Sequence, residues 1–206
     1  MAAGPLIRYP ARMSINRVCV YCASSRQCEP VYHESAARLG AILARRGVTI
    51  VYGGGKSGSM GALADGALAA GGRVIGVLPR FMDEVEWGHK GLTELILVNS
   101  MHERKRLMIQ EVDAVVALPG ACGTWEELFE AMSFKRLGLF VGAIVIVNTN
   151  GYYAPMLEML ERSVEYRFMD ERHRAMWSVV EQPEEVLDAI GSSPPWSASN
   201  RSFAAI

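Results

Sequence analysis

The stretch Ala114-Val115-Val116-Ala117-Leu118-Pro119-Gly120-Ala121-Cys122-Gly123-Thr124-Trp125-Glu126-Glu127 decides the fold. Its first five residues are an apolar run of strand length. Beyond the turn, Trp125, Leu128, Phe129 and Met132 share one helical face. Gly120 and Gly123 permit a tight turn and close approach of a ligand to the backbone. The stretch predicts a strand, a small-residue loop and a helix, with free N–H groups at the helix start suited to an anion. Thr124 and Glu127 also spell a capping box. Glu127 therefore has two readings, a helix cap or a carboxylate turned to chemistry.

The same alternation extends in both directions. Arg17 to Cys22 predicts a first strand, followed by the small residues Ala23, Ser24 and Ser25. That is where open α/β sheets bind ligands. Tyr32, Ala36, Leu39 and Leu43 predict a helix stopped by Gly47. Val48 to Tyr52 predicts a second strand, entering the loop Gly53-Gly54-Gly55-Lys56-Ser57-Gly58-Ser59-Met60-Gly61. This loop matches G-x-G-x-x-G, but the next strand, Arg73 to Leu78, does not end in the acidic residue that would hold a ribose diol. It also fails as a P-loop, because Ile50 stands at the place of the first glycine. What remains is a flexible set of backbone donors at Gly54 and Gly55 that can approach a ligand. A strand–helix turn built of small residues does not readily require five glycines.

Pro79 to Gly91 is polar and irregular, a loop beside the site. Glu94 to Val98 predicts a strand, and Ser100 with Glu103 a capping box that opens a helix carrying Arg104 and Lys105. Cations so near a helix start are unfavourable against the dipole unless an anion is close. Gly142 to Val147 and Ser178 to Val180 predict two more strands, with a helix through Tyr153 to Val164 between them and a short helix over Pro183 to Ile190. The expectation is a single-domain α/β protein of Rossmann-like type over residues 15–190, a doubly wound parallel sheet with right-handed crossovers. A flexible arm over 1–14 and a disordered tail over 191–206 flank it.

The 206 residues, half of them hydrophobic, suffice for one full core. A net charge of -1 without a dominant basic run argues against nucleic acid as a partner. No apolar run is long enough to span a bilayer, and no h-region follows Arg8 and Arg12. Cys19 and Cys22 lie three apart in a predicted strand and so point to opposite faces. With Cys28 and Cys122 they suit reduced thiols of a cytoplasmic protein better than a zinc or redox site. The histidines have no metal-ligand spacing, and neither metal nor cofactor is expected.

Taken together, the motifs resemble the Lonely Guy family, phosphoribohydrolases that release cytokinin bases from their riboside 5′-monophosphates. The resemblance rests on Cys19-Val20-Tyr21-Cys22-Ala23-Ser24-Ser25, Tyr52-Gly53-Gly54-Gly55, Gly58-Ser59-Met60-Gly61, Met101-His102-Glu103-Arg104-Lys105 and Pro119 through Glu127. It implies Glu127 and Arg104 as catalytic residues. It implies a nucleoside monophosphate held by Ser25, Gly54, Gly55, Gly120, Ala121, Cys122, Gly123, Thr124, Trp125 and Glu126, with Glu86, Lys105 and Ser133 as further contacts. It also implies a homodimer, or a multiple of dimers, with Phe129 to Phe140 at the interface. Ala121 departs from the pattern by replacing its second glycine, which would strain the turn if φ there were positive. Two rivals are a non-catalytic nucleotide-binding module and a pyridoxal phosphate-dependent lysine decarboxylase, a label long attached to related proteins. The latter requires a Schiff-base lysine from Lys56, Lys90, Lys105 and Lys135.

Overall fold

The computed structural model describes residues 15–85 and 87–204. The arm expected over 1–14 and the candidate contact Glu86 lie outside the described residues. The strands are β1 Arg17–Tyr21, β2 Thr49–Tyr52, β3 Val74–Pro79, β4 Glu94–Val98, β5 Ala114–Ala117, β6 Ala143–Val147 and β7 Ser178–Val180. They form one sheet in the order β4-β3-β2-β1-β5-β6-β7, and every neighbouring pair is parallel. β1 is central. It pairs with β2 through Val18–Ile50 and with β5 through Val18–Ala114. The winding changes direction between β1 and β5, which opens a crevice at their carboxyl ends.

The apolar runs are continuous because both faces of the sheet are covered. Val18, Val20, Ile50, Val116 and Val145 face α1 (Pro30–Arg45), α2 (Gly58–Ala69) and α7 (Val186–Ser192), where they meet Leu39, Leu43, Leu63 and Ile190. Cys19, Val51, Val77, Val115 and Ile144 face α4 (Met101–Ile109), α5 (Cys122–Arg136) and α6 (Ala154–Glu165), where they meet Met108, Leu128, Met132 and Leu160. The period of two divides the thiols as expected, with Cys19 in one core layer and Cys22 in the other. α1 begins with Pro30 in its first turn and ends before Gly47, whose φ of +71° suits a C′ glycine.

The expected disordered tail is corrected over residues 191–204. α7 runs to Ser192, and a 3-10 turn spans Ala198–Phe203. Trp196 Nε1 donates to the Lys135 carbonyl at 2.7 Å, and Arg136 Nε donates to the Ala204 carbonyl at 3.0 Å. Composition suggested disorder because Gly, Ser and Pro dominate the segment. Two aromatics were enough to anchor it: Trp196 and Phe203 meet edge to face at 5.8 Å. The loop over Pro79 to Gly91 also contains more structure than expected, a single helical turn α3 at Arg80–Glu84.

Candidate active site

A cavity of about 550 Å³ opens at the carboxyl ends of β1, β2, β3 and β5. Leu78, Met82, Trp87, Met101 and Met60 make an apolar wall. Ser24, Ser25, Arg26, Lys56, Ser57, Arg104, Thr124 and Glu127 supply the polar groups.

Arg104 and Glu127 meet at the floor, Nη1 to Oε1 at 3.6 Å, with both side chains only 7% exposed. The capping box forecast for α4 holds them in register. Ser100 Oγ accepts from the Glu103 N–H at 3.1 Å, while the Glu103 carboxylate takes the Asn99 N–H at 2.9 Å. Arg104 then turns inward and donates from Nε to the Val77 carbonyl and from Nη2 to the Gly53 carbonyl, each at 3.0 Å. Gly53 has to be glycine here, since a Cβ would stand 2.0 Å from Nη2 of Arg104. Burial raises the Glu127 carboxyl to about 7, and Arg104 pulls it down less strongly. The guanidinium is already committed to two carbonyls and stands beyond hydrogen-bond length from the carboxylate, so desolvation prevails.

Lys105 points elsewhere, to Glu126 and, at 3.0 Å, to Glu130. The anions that the two early cations of α4 demanded are thus protein carboxylates, Glu127 for Arg104 and the Glu126–Glu130 pair for Lys105.

The turn before α5 differs from the reading of a Thr124–Glu127 cap. The helix starts at Cys122, its N-cap is Ala121, and no side chain caps it. Thr124 is inside the first turn and buried, and Glu127 is a turn further on. The register shift arises because Gly120 lets Thr124 fold back over it: a Cβ on Gly120 would lie 2.1 Å from Thr124 Oγ1. Two tyrosines at the start of α6 brace the turn. Tyr153 Oη donates to the Leu118 carbonyl at 2.8 Å and Tyr152 Oη to the Gly120 carbonyl at 2.6 Å. Ala121 has φ −100°, an ordinary extended conformation, so alanine there carries no left-handed strain. Ala121→Gly is therefore expected to lower stability slightly, by about 0.5–1 kcal/mol through chain entropy. A thermal melt checks this, and a raised melting temperature would contradict it.

The glycine loop after β2 is explained by packing within the protein. Gly58 has φ +60°, and a Cβ there would sit 2.3 Å from the Ser25 carbonyl oxygen. The start of α2 thus presses on the loop after β1, and Met60 N donates to the Ala23 carbonyl at 3.0 Å. Gly54 and Lys56 are fastened to the loop after α3, through His89 N to the Gly54 carbonyl at 2.9 Å and Lys56 N to the Trp87 carbonyl at 3.0 Å. The small-residue turn accounts for more of the glycines than expected.

Of the expected site residues, Ser25, Gly55, Arg104, Ala121, Gly123, Thr124 and Glu127 line the cavity. Gly54, Lys105, Gly120, Cys122, Trp125, Glu126 and Ser133 do not; Ser133 is exposed and donates to the Phe129 carbonyl at 2.8 Å, one turn back along α5. Sequence reasoning missed Arg26, Ser57, Met82 and Trp87 as lining residues. The available signal was their position, in loops following β1, β2 and β3 at the binding edge of the sheet.

The fold defines a Rossmann-like α/β protein, with a cavity at the switch point of its sheet. The chain belongs to the family described as "Possible lysine decarboxylase", whose model matches residues 60–190. It is 39% identical over 183 residues to the cytokinin riboside 5′-monophosphate phosphoribohydrolase of Rhodococcoides fascians, covering 88% of this chain and 92% of that one. It is 35% identical over 179 residues to a probable cytokinin riboside 5′-monophosphate phosphoribohydrolase of Oryza sativa subsp. japonica, covering 87% and 73%. Among solved structures, the molybdenum cofactor binding protein of Rippkaea orientalis superposes with a TM-score of 0.66 at 20% identity, over 87% of this chain and 98% of that one, a likeness of fold. No helix among the described residues is long and apolar enough to cross a membrane.

Proposed function

We propose that the protein hydrolyses the N-glycosidic bond of cytokinin riboside 5′-monophosphates and of AMP, releasing the free base and ribose 5-phosphate. The observation that carries this reading is the buried Glu127–Arg104 pair on the floor of the cavity; the names of the relatives agree with it. Breaking the bond between the anomeric carbon and the base builds positive charge on the ribose, and a carboxylate beside it stabilises that charge. Glu127 in its ionised form has this role and accepts a proton from the attacking water. The bonding electrons leave with the base, which takes up a proton. Arg104 stays charged at any working pH and orients Glu127. The first turn of α5, uncapped by any side chain, together with Thr124, holds the 5′-phosphate.

Cleavage of AMP or isopentenyladenosine monophosphate is expected to exceed that of the free riboside by on the order of a hundredfold, because remote phosphate binding is realised in the transition state. A base-release assay across monophosphates and ribosides measures it. Equal rates would remove the phosphate from the reading, and binding without release would leave a nucleotide-binding module. A pyridoxal decarboxylase is less well supported by the lysines. Lys90, Lys105 and Lys135 are engaged by Asp83, by Glu126 and Glu130, and by the Gly142 carbonyl. Lys56 lines a cavity whose one carboxylate among the described residues is already opposite Arg104.

The proposed assembly is a homodimer, or a multiple of dimers, acting in the cytoplasm. Trp125, Phe129, Ser133 and Leu137 recur every four residues along α5, and the three apolar members are 39%, 42% and 45% exposed. Such a stripe fits burial against a second copy. Light scattering is expected to give about twice the 22.6 kDa chain mass or a multiple of that. Phe129→Glu should reduce it to one chain. A monomeric wild type with full activity would refute the assembly.

A further inference from the structure

The charge of the cavity wall is unbalanced. Among the described residues its lining contains three cations, Arg26, Lys56 and Arg104, and one carboxylate, Glu127. Arg104 and Glu127 offset each other, which leaves Arg26 and Lys56 facing the same space. Arg26 is held in place from Nε and Nη2 by Ser57 Oγ, at 3.2 and 2.9 Å. Lys56 makes no side-chain hydrogen bond or ion pair among the described residues.

We propose that Arg26 and Lys56 form a cationic clamp for the 5′-phosphate, closing on it from the side of β1 and β2 while the start of α5 meets it from the side of β5. This rests on the monophosphate reading above and adds the residues that select for the charged end. Two positive side chains match a phosphate dianion of about −2. The strand order supports the geometry. The loop bearing Arg26 follows β1, which lies between β2 and β5. Strands are spaced by about 5 Å, so the loops after β2 and β5 stand about 10 Å apart. A phosphate together with the reach of a lysine side chain fits that gap. Packing of the α2 start on the Ser24–Ser25 backbone fixes the two loops relative to each other, so the clamp is preformed.

The test is calorimetric titration of the intact protein with ribose 5-phosphate, which needs no turnover, and with adenosine, which lacks the phosphate. Arg26→Ala and Lys56→Ala are each expected to weaken ribose 5-phosphate about tenfold, and the double variant about a hundredfold. Adenosine should change less than about twofold, since neither contact involves the nucleoside. The double variant binding ribose 5-phosphate like wild type would overturn the clamp. So would a matching loss for adenosine, which signals a distorted cavity, or undetectable wild-type binding. The two readings fail separately. Weakened ribose 5-phosphate binding in a protein that releases no base from AMP sinks the hydrolase and keeps the clamp. Undiminished turnover by the double variant at low AMP sinks the clamp and keeps the hydrolase.

Discussion

Glu127→Gln is expected to lower turnover on AMP by a hundredfold or more while leaving the fold intact. The isosteric amide keeps the volume and loses the charge that the oxocarbenium-like transition state requires. Stability should change by less than about 1 kcal/mol, because near neutral pH the buried carboxyl already carries a proton part of the time and the Arg104 guanidinium keeps its Val77 and Gly53 carbonyls in the variant. The pH profile gives an independent check. Burial holds the Glu127 carboxyl near 7, above the ordinary 4.5. The active, ionised form is therefore lost as pH falls through about 7, and the acid limb of the rate profile should lie there and not near 4.5. Stability runs the other way. Between 4.5 and 7 the folded state keeps a proton that the unfolded state has released, so the contribution of this group is full at the acid end and declines as pH rises. Both effects should vanish in the glutamine variant. Near-normal turnover by Glu127→Gln would sink its role as the reacting carboxylate.

Arg104→Ala is expected to have the largest effect on stability, about 3–5 kcal/mol, because it empties a buried site and removes the cation that favours the ionised form of Glu127. It also frees the Gly53 and Val77 carbonyls, the two backbone points where the guanidinium ties α4 to β2 and β3. For a domain of this size the melting temperature should fall by about 10 °C. Activity should fall with it. In the Glu127→Gln background the same substitution should cost less, since no charge is left unpaired, and its further effect on turnover should be small. Gly53→Ala offers a parallel route, because its Cβ would occupy the place of the guanidinium. A melting temperature unchanged by Arg104→Ala would show that the pair contributes nothing to the fold.

The order of strands and helices was legible in the sequence because buried parallel strands are short apolar runs that depend on few partners outside themselves. Ser100 and Glu103 announced α4 because a cap is local chemistry. The same pattern at Thr124 and Glu127 misled, since the true start of α5 depends on Gly120, Tyr152 and Tyr153, and the tyrosines lie some thirty residues further along the chain. Glu127 and Arg104 were legible as a pair through family resemblance; spacing alone left Glu127 as a cap or a carboxylate. Ala121 looked strained against a family pattern and is ordinary in its own backbone. Lys105 and Ser133 were grouped with the site by family resemblance, yet in the chain they lie outside the cavity. Arg26 and Trp87 were missed because their neighbourhood is made by loops whose contact no periodicity encodes.

The central position of β1 has a consequence for how the chain matures. β1 can pair with β2 as soon as β2 ends at Tyr52, but its other edge stays open until β5 arrives at Ala114–Ala117. Until then the nascent sheet exposes an unpaired parallel edge, a template for mispairing with another chain. The closure that protects this edge is also the step that brings Glu127, on the helix after β5, beside Arg104. Pairings of such high sequence separation are slow to form, and the long-range docking that covers this edge is also the one that completes the floor of the cavity.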